Sequence, residues 1–256
     1  MNRIAKAFDG KKAFIAFITG GDPDIETTEK LVLGMAEAGA DIIEIGVPFS
    51  DPIAEGPVIQ NADERALKAG CTADGLFEAV KRIRPQTGAA LMLMTYANPV
   101  YAYGKERFMA NCREAGIDGV IIPDAPFEEK AEFEECCKRF GICLISMIAP
   151  TSGGRAQKIA RSADGFLYCV SSLGVTGTRG EIGTEISRLI EEVRQVSDIP
   201  CAVGFGVSTP QQAGAMAAIS DGVIVGSAIV KIVARHGRSS AEPVKRFVAD
   251  MVRAIK

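Results

Sequence analysis

Ala38-Gly-Ala-Asp41-Ile-Ile-Glu44-Ile-Gly46 packs three signals into nine residues: a helix end at a glycine, a tight turn carrying an aspartate, and entry into a short apolar strand. The same grammar returns at Ala115-Gly-Ile-Asp118-Gly-Val, and more loosely at Ser162-Ala-Asp164-Gly-Phe and Ile219-Ser-Asp221-Gly-Val. Outward from that unit, eight apolar runs punctuate the chain: Ala13–Thr19, Asp41–Gly46, Ala89–Thr95, Gly119–Pro123, Cys143–Ile148, Gly165–Ser171, Cys201–Gly204 and Gly222–Val225. They are continuously hydrophobic, as parallel strands roofed by helices are. Between them lie helical periods, such as Ile186, Leu189, Ile190 and Val193, or Phe133, Cys136, Cys137 and Phe140, with a third face marked by Phe108, Cys112 and Ala115. Gly39, Gly116 and Gly141 sit just past such patterns, where helix-terminating glycines belong. Eight βα units in 256 residues predict an α/β fold, a (β/α)8 TIM barrel forming one domain over residues 1–256. A doubly wound sheet is the alternative, but it ordinarily uses fewer strands.

Composition narrows the chemistry. A net charge of −3 without a lysine or arginine block argues against nucleic acid or an anionic membrane as partner. The single histidine, His236, rules out a multi-histidine metal centre within one chain, and it lies in the charged stretch Arg235-His-Gly-Arg238. Seven cysteines form no C-x-x-C pair and fall mostly in apolar runs, which predicts reduced core thiols. No segment approaches 18 apolar residues and no secretory apolar region follows Met1, so the chain is expected to be soluble and cytoplasmic.

In such a barrel the chemistry gathers at the C-terminal ends of the strands. Glu44 lies late in the second run, with Ile43 and Ile45 on the opposite face by alternation. A carboxylate there points into the barrel, where apolar surroundings raise its proton affinity and suit it to proton transfer near neutral pH. A structural glutamate hydrogen-bonded across the barrel fits the same position. The loop Val47–Pro57 carries three prolines, and its Glu55 can fold back over the barrel mouth; Asp51 before Pro52 reads equally as a turn former. Gly204-Phe-Gly206 after the seventh strand and Gly226-Ser227 after the eighth are placed to hold a phosphate on backbone N–H groups and a helix N-terminus, or to serve as turn glycines. Gly174, Gly177, Gly180 and Gly183 mark the segment after the sixth strand as a lid or a plain flexible loop. No strand end offers a lysine for an imine, and no histidine cluster offers a zinc site. Carboxylate acid–base chemistry on a phosphorylated substrate remains.

Glu44-Ile-Gly-Val-Pro-Phe-Ser-Asp-Pro-Ile-Ala-Glu-Gly-Pro57-Val-Ile-Gln-Asn61 resembles the signature of the tryptophan synthase alpha chain family. Phe17-Ile-Thr-Gly-Gly-Asp22-Pro, Tyr96-Ala-Asn98-Pro, Gly174-Val-Thr-Gly177, Gly204-Phe-Gly206 and Gly226-Ser-Ala-Ile-Val-Lys231 match in family order, so the resemblance spans essentially the whole chain. It implies retro-aldol cleavage of indole-3-glycerol phosphate to indole and glyceraldehyde 3-phosphate, without metal or cofactor on this chain. By that resemblance Glu44 is the general acid–base, and Glu55 stands where the family commonly has aspartate, to bind the indole N–H. Phe17, Ile59, Met94, Ile121, Phe205 and Ile224 align with the apolar indole wall, and Tyr168 and Thr176 with the pocket and its lid. Gly177, Gly206, Gly226 and Ser227 align with the phosphate binders. The implied partner is a beta chain carrying pyridoxal phosphate, contacted through Val47–Gln60 and Asn98–Gly104 in an α2β2 assembly. A free-standing lyase and an alpha-like activator of a beta partner are the alternatives.

Overall fold

Each of the eight apolar runs forms a strand in the computed structural model, which describes residues 2–170, 179–204 and 206–256. The strands are β1 (Ala13–Thr19), β2 (Ile42–Gly46), β3 (Ala90–Met94), β4 (Gly119–Ile121), β5 (Cys143–Ile148), β6 (Leu167–Val170), β7 (Cys201–Gly204) and β8 (Gly222–Val225). All pair in parallel with their sequence neighbours, and β8 closes on β1 through Ala13↔Gly222 to Ala16↔Val225. The predicted (β/α)8 barrel is the observed architecture.

Side-chain alternation divides the core in two. Ile15, Phe17, Ile42, Met92, Met94, Ile121, Ile145, Ala202 and Ile224 fill the barrel interior. The opposite parity, including Phe14, Ile18, Ile43, Ile45, Leu91, Leu93, Val120 and Val223, packs outward beneath the helices. Each fully buried aliphatic side chain of this kind contributes about 1.5–3 kcal/mol. The helical faces expected around Phe108, Phe133 and Ile186 are buried as their spacing requires. Gly116 and Gly141 terminate their helices at φ of +81° and +71°, backbone that a side chain would strain.

The recurrent aspartates do more than turn the chain. Asp41 Oδ2 accepts the Phe14 N–H at 2.9 Å while the Asp41 N–H donates to the Phe14 carbonyl at 2.9 Å. Asp118 makes the same two-way tie to Leu91, and Asp221 to Cys201. Each therefore staples its strand to the preceding one at the N-terminal mouth of the barrel. Cations complete the charge: Lys11 and Lys256 at Asp41, Arg3 and Arg84 at Asp118, Arg194 at Asp221. Asp164, the looser echo, accepts the adjacent Gly165 N–H at 2.8 Å, as a local turn former does.

Four of the twelve helices among the described residues exceed the one-per-strand pattern. The helix Arg3–Ala7 tucks Ile4 into the interior cluster from below, and Phe8 packs on Phe166 with ring centroids 5.5 Å apart, so the N-terminal end is floored. The other three, Pro57–Lys68, Ala97–Tyr103 and Ser227–His236, follow β2, β3 and β8 and build up the opposite rim. No helix among the described residues is long and apolar enough to cross a membrane.

Candidate active site

Glu44 is fully buried on β2, in register between Phe17 of β1 and Met92 of β3. Neither carboxyl oxygen has a hydrogen-bond partner among the described residues. No cross-barrel bond from those residues explains its place in the interior. Burial pushes its pKa up to about 8, so near neutral pH it holds its proton. The Tyr168 phenol on β6 is raised well above its ordinary value, first by burial and then by the charge of Glu44, which places the two side chains within each other's field.

The apolar residues expected around the substrate do converge. Phe17, Ile59, Met94, Ile121 and Ile224 belong to the single interior cluster, and Tyr168 packs against it. Glycines at the strand ends make room for the rings. A Cβ on Gly204 would come within 2.7 Å of the Tyr168 ring, and one on Gly46 within 2.9 Å of the Phe17 ring. Gly226 also faces Phe17, at 3.2 Å. Gly204 and Gly226 thus carry a packing role beside any role toward an anion. Gly206 follows β7 at φ +53° in open space, and Gly226 precedes the ten-residue helix Ser227–His236 without a side-chain cap. The first N–H groups of that helix are free to meet an anion. Thr176, Gly177 and Phe205, and most of the segment read as a lid, lie outside the described residues.

The loop after β2 is held from the β3 side. The Tyr96 ring packs on Phe49 with centroids 5.5 Å apart, and its hydroxyl accepts the Ala54 N–H at 3.0 Å. Gln60 closes the loop by donating to the Glu55 carbonyl at 2.8 Å. Glu55 is half-buried beside Asp63 and Tyr96, its Oε2 has no hydrogen-bond partner among the described residues, and burial raises its proton affinity. It does not bond to Glu44. Asp63, buried on the helix Pro57–Lys68, is held well above the usual carboxylate range by burial and by Glu55. Sequence reasoning missed Asp63. Its signal lies in the spacing: Ile59, Ala62, Asp63 and Ala66 form the buried i, i+3, i+4, i+7 stripe of that helix, with a carboxylate in an apolar place.

The residues with more ordinary duties are also clear. Ser50 donates to Asp51, which is exposed as a turn former would be. Asp124 accepts the Ala97 N–H at 2.9 Å and caps the helix Ala97–Tyr103. His236 is exposed, all seven cysteines are free and buried, and the described residues contain no cluster of three or more metal-ligating side chains.

Comparison with known proteins gives this geometry its context. Residues 4–256 match the family model of the tryptophan synthase alpha chain. The chain belongs to the tryptophan synthase alpha chain family. It is 47% identical to the tryptophan synthase alpha chain of Geobacter sulfurreducens, covering 100% of this chain and 98% of that one. It is 44% identical to that of Lacticaseibacillus casei, over 98% and 94% of the respective chains. Among solved structures it is similar to tryptophan synthase subunit alpha of Legionella pneumophila, with TM-score 0.91, 35% identity and coverage of 100% and 98%. A chain of the tryptophan synthase complex of Pyrococcus furiosus superposes with TM-score 0.86 at 34% identity, over 95% and 99%. As a tryptophan synthase alpha chain, the protein is a lyase of tryptophan biosynthesis.

Proposed function

We propose that Glu44 is the acid–base group with which this chain cleaves indole-3-glycerol phosphate to indole and glyceraldehyde 3-phosphate. The reading rests on one observation above all, a fully buried carboxyl without a hydrogen-bond partner among the described residues, at the centre of an apolar barrel. Such an arrangement is costly unless an incoming group completes it. Glu44 delivers its proton to the indole ring carbon that bears the glycerol chain, turning the ring into an electron sink. It then takes the proton of the adjacent hydroxyl as the carbon–carbon bond breaks. The carboxyl ends as it began, and the electron pair of the broken bond restores the aromatic ring.

Glu55 accepts the indole N–H and offsets the positive charge that develops on the protonated ring. Phe17, Ile59, Met94, Ile121, Tyr168 and Ile224 hold the ring system, with Phe205 and Thr176 completing the pocket. The phosphate sits on the N–H groups of Gly206, Gly226 and Ser227, together with Gly177, at the end of the helix Ser227–His236. The partner is a beta chain that carries pyridoxal phosphate and takes up the indole, in the cytoplasm. Ile53, on the loop after β2, is 80% exposed and Tyr101, on the helix Ala97–Tyr103 after β3, is 48% exposed, an unusual display of large apolar side chains at this rim. Both support that surface as the contact.

The deciding experiment is indole formation by wild type and Glu44→Gln, with and without a beta chain. We expect the variant to release no indole while still binding a glycerol phosphate analogue. Turnover in Glu44→Gln near that of wild type would overturn the assignment. Failure of a beta chain to co-elute with the protein or alter its rate would overturn the partner and leave a free-standing lyase.

A further inference from the structure

We propose that Arg65 is a positioning residue. Through a two-point bond to Asp22 it fixes the helix Pro57–Lys68 against the loop after β1, and so sets where Ile59 stands in the pocket relative to Glu44. This rests on the reading of the pocket above and adds the tie that holds one of its walls.

The need for a tie follows from the helix itself. Its buried stripe is Ile59, Ala62, Asp63 and Ala66, so a single large apolar side chain anchors it. Alanines bury little area and interlock weakly, which leaves such a helix free to slide or turn on its neighbours. Its N-cap is Gly56, which offers no side chain to hold the first turn. Ile59 belongs to the interior cluster, so its register has to be fixed from elsewhere.

Arg65 supplies that constraint with a fork. Its Nε donates to Asp22 Oδ1 at 2.8 Å and its Nη2 to Asp22 Oδ2 at 2.7 Å. A planar guanidinium held at two points fixes direction as well as distance. Asp22 is buried, so water competes little for its oxygens. The loop that presents Asp22 is tied in turn to the strand of Glu44. The Gly20 N–H donates to the carbonyl of Gly46, the last residue of β2, at 2.8 Å. The Gly21 N–H donates to Thr28 Oγ1 at 2.8 Å, anchoring the loop to the helix Ile25–Glu37. A second contact seats the end of the helix Pro57–Lys68 on the same loop. Cys71, just past that helix, has its Sγ 3.6 Å from the Gly20 carbonyl oxygen. Gly21, at φ +80°, leaves no room for a side chain, since a Cβ there would come within 2.5 Å of Cys71. The loop is thus one fixed reference for both Glu44 and Ile59. Arg65 lies about 9 Å along the helix axis from Ile59, so a small turn at the fork becomes a displaced side chain in the pocket.

The same loop carries an internal comparison. Arg238, beyond the helix Ser227–His236, donates from Nε to Asp24 Oδ2 at 2.6 Å, yet its side chain is 84% exposed. A single contact in open solvent constrains little.

The test measures the two halves of the substrate separately and needs no turnover. The chain has no tryptophan, so the fluorescence of indole reports its own binding, while glycerol phosphate is titrated by calorimetry. In Arg65→Ala the dissociation constant for indole should rise about tenfold, whereas that for glycerol phosphate, which binds at the helix Ser227–His236, should stay within about twofold. A loss of stability alone would leave both affinities of the folded protein unchanged. Arg65→Lys keeps the charge without the fork and should fall between wild type and Arg65→Ala. Arg238→Ala should leave both ligands unaffected. Adding Asp22→Asn to Arg65→Ala should cost no further indole affinity, because the two residues form one contact. Unchanged indole affinity in Arg65→Ala, equal losses for the two ligands, an equal loss in Arg238→Ala, or losses at Asp22 and Arg65 that multiply would each overturn the proposal. If Arg65→Ala leaves Asp22 stranded and does not fold, the same titrations of Arg65→Lys decide. Wild type that binds neither ligand would overturn the reading of the pocket, and the positioning role with it.

Discussion

The two ends of the barrel treat the same functional group in opposite ways. At the N-terminal mouth Asp41, Asp118 and Asp221 each accept a backbone N–H from the neighbouring strand and face one or two cations. Toward the C-terminal mouth Glu44 has no hydrogen-bond partner among the described residues, and Glu55 lies beside another acid. One end is satisfied and closes the sheet; the other is left in want of partners and so is open to chemistry. Stability and activity are therefore carried by different carboxylates.

The sharpest attack on that division is Glu44→Gln. General acid–base groups contribute about 10²–10⁴ in rate, and the loss here should reach the upper part of that range, measured as indole release. The same variant should be more stable than wild type. The folded protein holds the Glu44 proton up to about pH 8, while the unfolded chain gives it up near 4.5, the ordinary range of a glutamate. Wild type accordingly loses stability relative to Gln as pH rises through that window, by roughly 5 kcal/mol once pH exceeds 8. Denaturant melts at pH 5 and pH 9 read the difference directly. In parallel, wild-type kcat/KM should fall above about pH 8 as Glu44 loses the proton it must donate.

Asp118→Ala tests the other end. It strands Arg84, which is itself largely buried, and the Leu91 N–H, so a loss of about 3 kcal/mol in urea unfolding is expected with kcat unchanged in the folded enzyme. A large fall in kcat would break the division of labour. Tyr96→Phe removes the acceptor for the Ala54 N–H, which holds the loop that carries Glu55. It should lower kcat/KM about tenfold while costing about 1 kcal/mol in thermal unfolding. Lys11→Ala should do least. Its partner Asp41 keeps the Phe14 N–H and Lys256, so the change stays below about 1 kcal/mol.

Much of this was legible beforehand, for reasons that can be located. The strands were visible because parallel strands under helices must be apolar on both faces, and Glu44 stood out as the exception within one. Strand ends were not. Asp41, Ala89 and Thr95 fall just outside their strands, because pairing with the neighbours, which the run itself does not encode, sets where a ladder stops. The turn aspartates were found, but their ties to Phe14, Leu91 and Cys201 join residues 20 to 27 apart in sequence and leave no local trace. Asp63 was hidden for a similar reason. Whether a loop acid meets a helix acid eight residues on depends on the path of the loop, and that path is set by Tyr96 and Phe49. The packing role of Gly204 likewise needs the position of the Tyr168 ring, which belongs to another strand.

The floor laid by Ile4 and by the Phe8–Phe166 contact makes the barrel a blind well. Whatever enters over the rim must leave over the rim, so an uncharged product released beside Glu44 leaves at the end that carries the loops following β2 and β3. A neighbour seated on those loops would command the exit as well as the entrance, and could intercept the product without competing with bulk water for it.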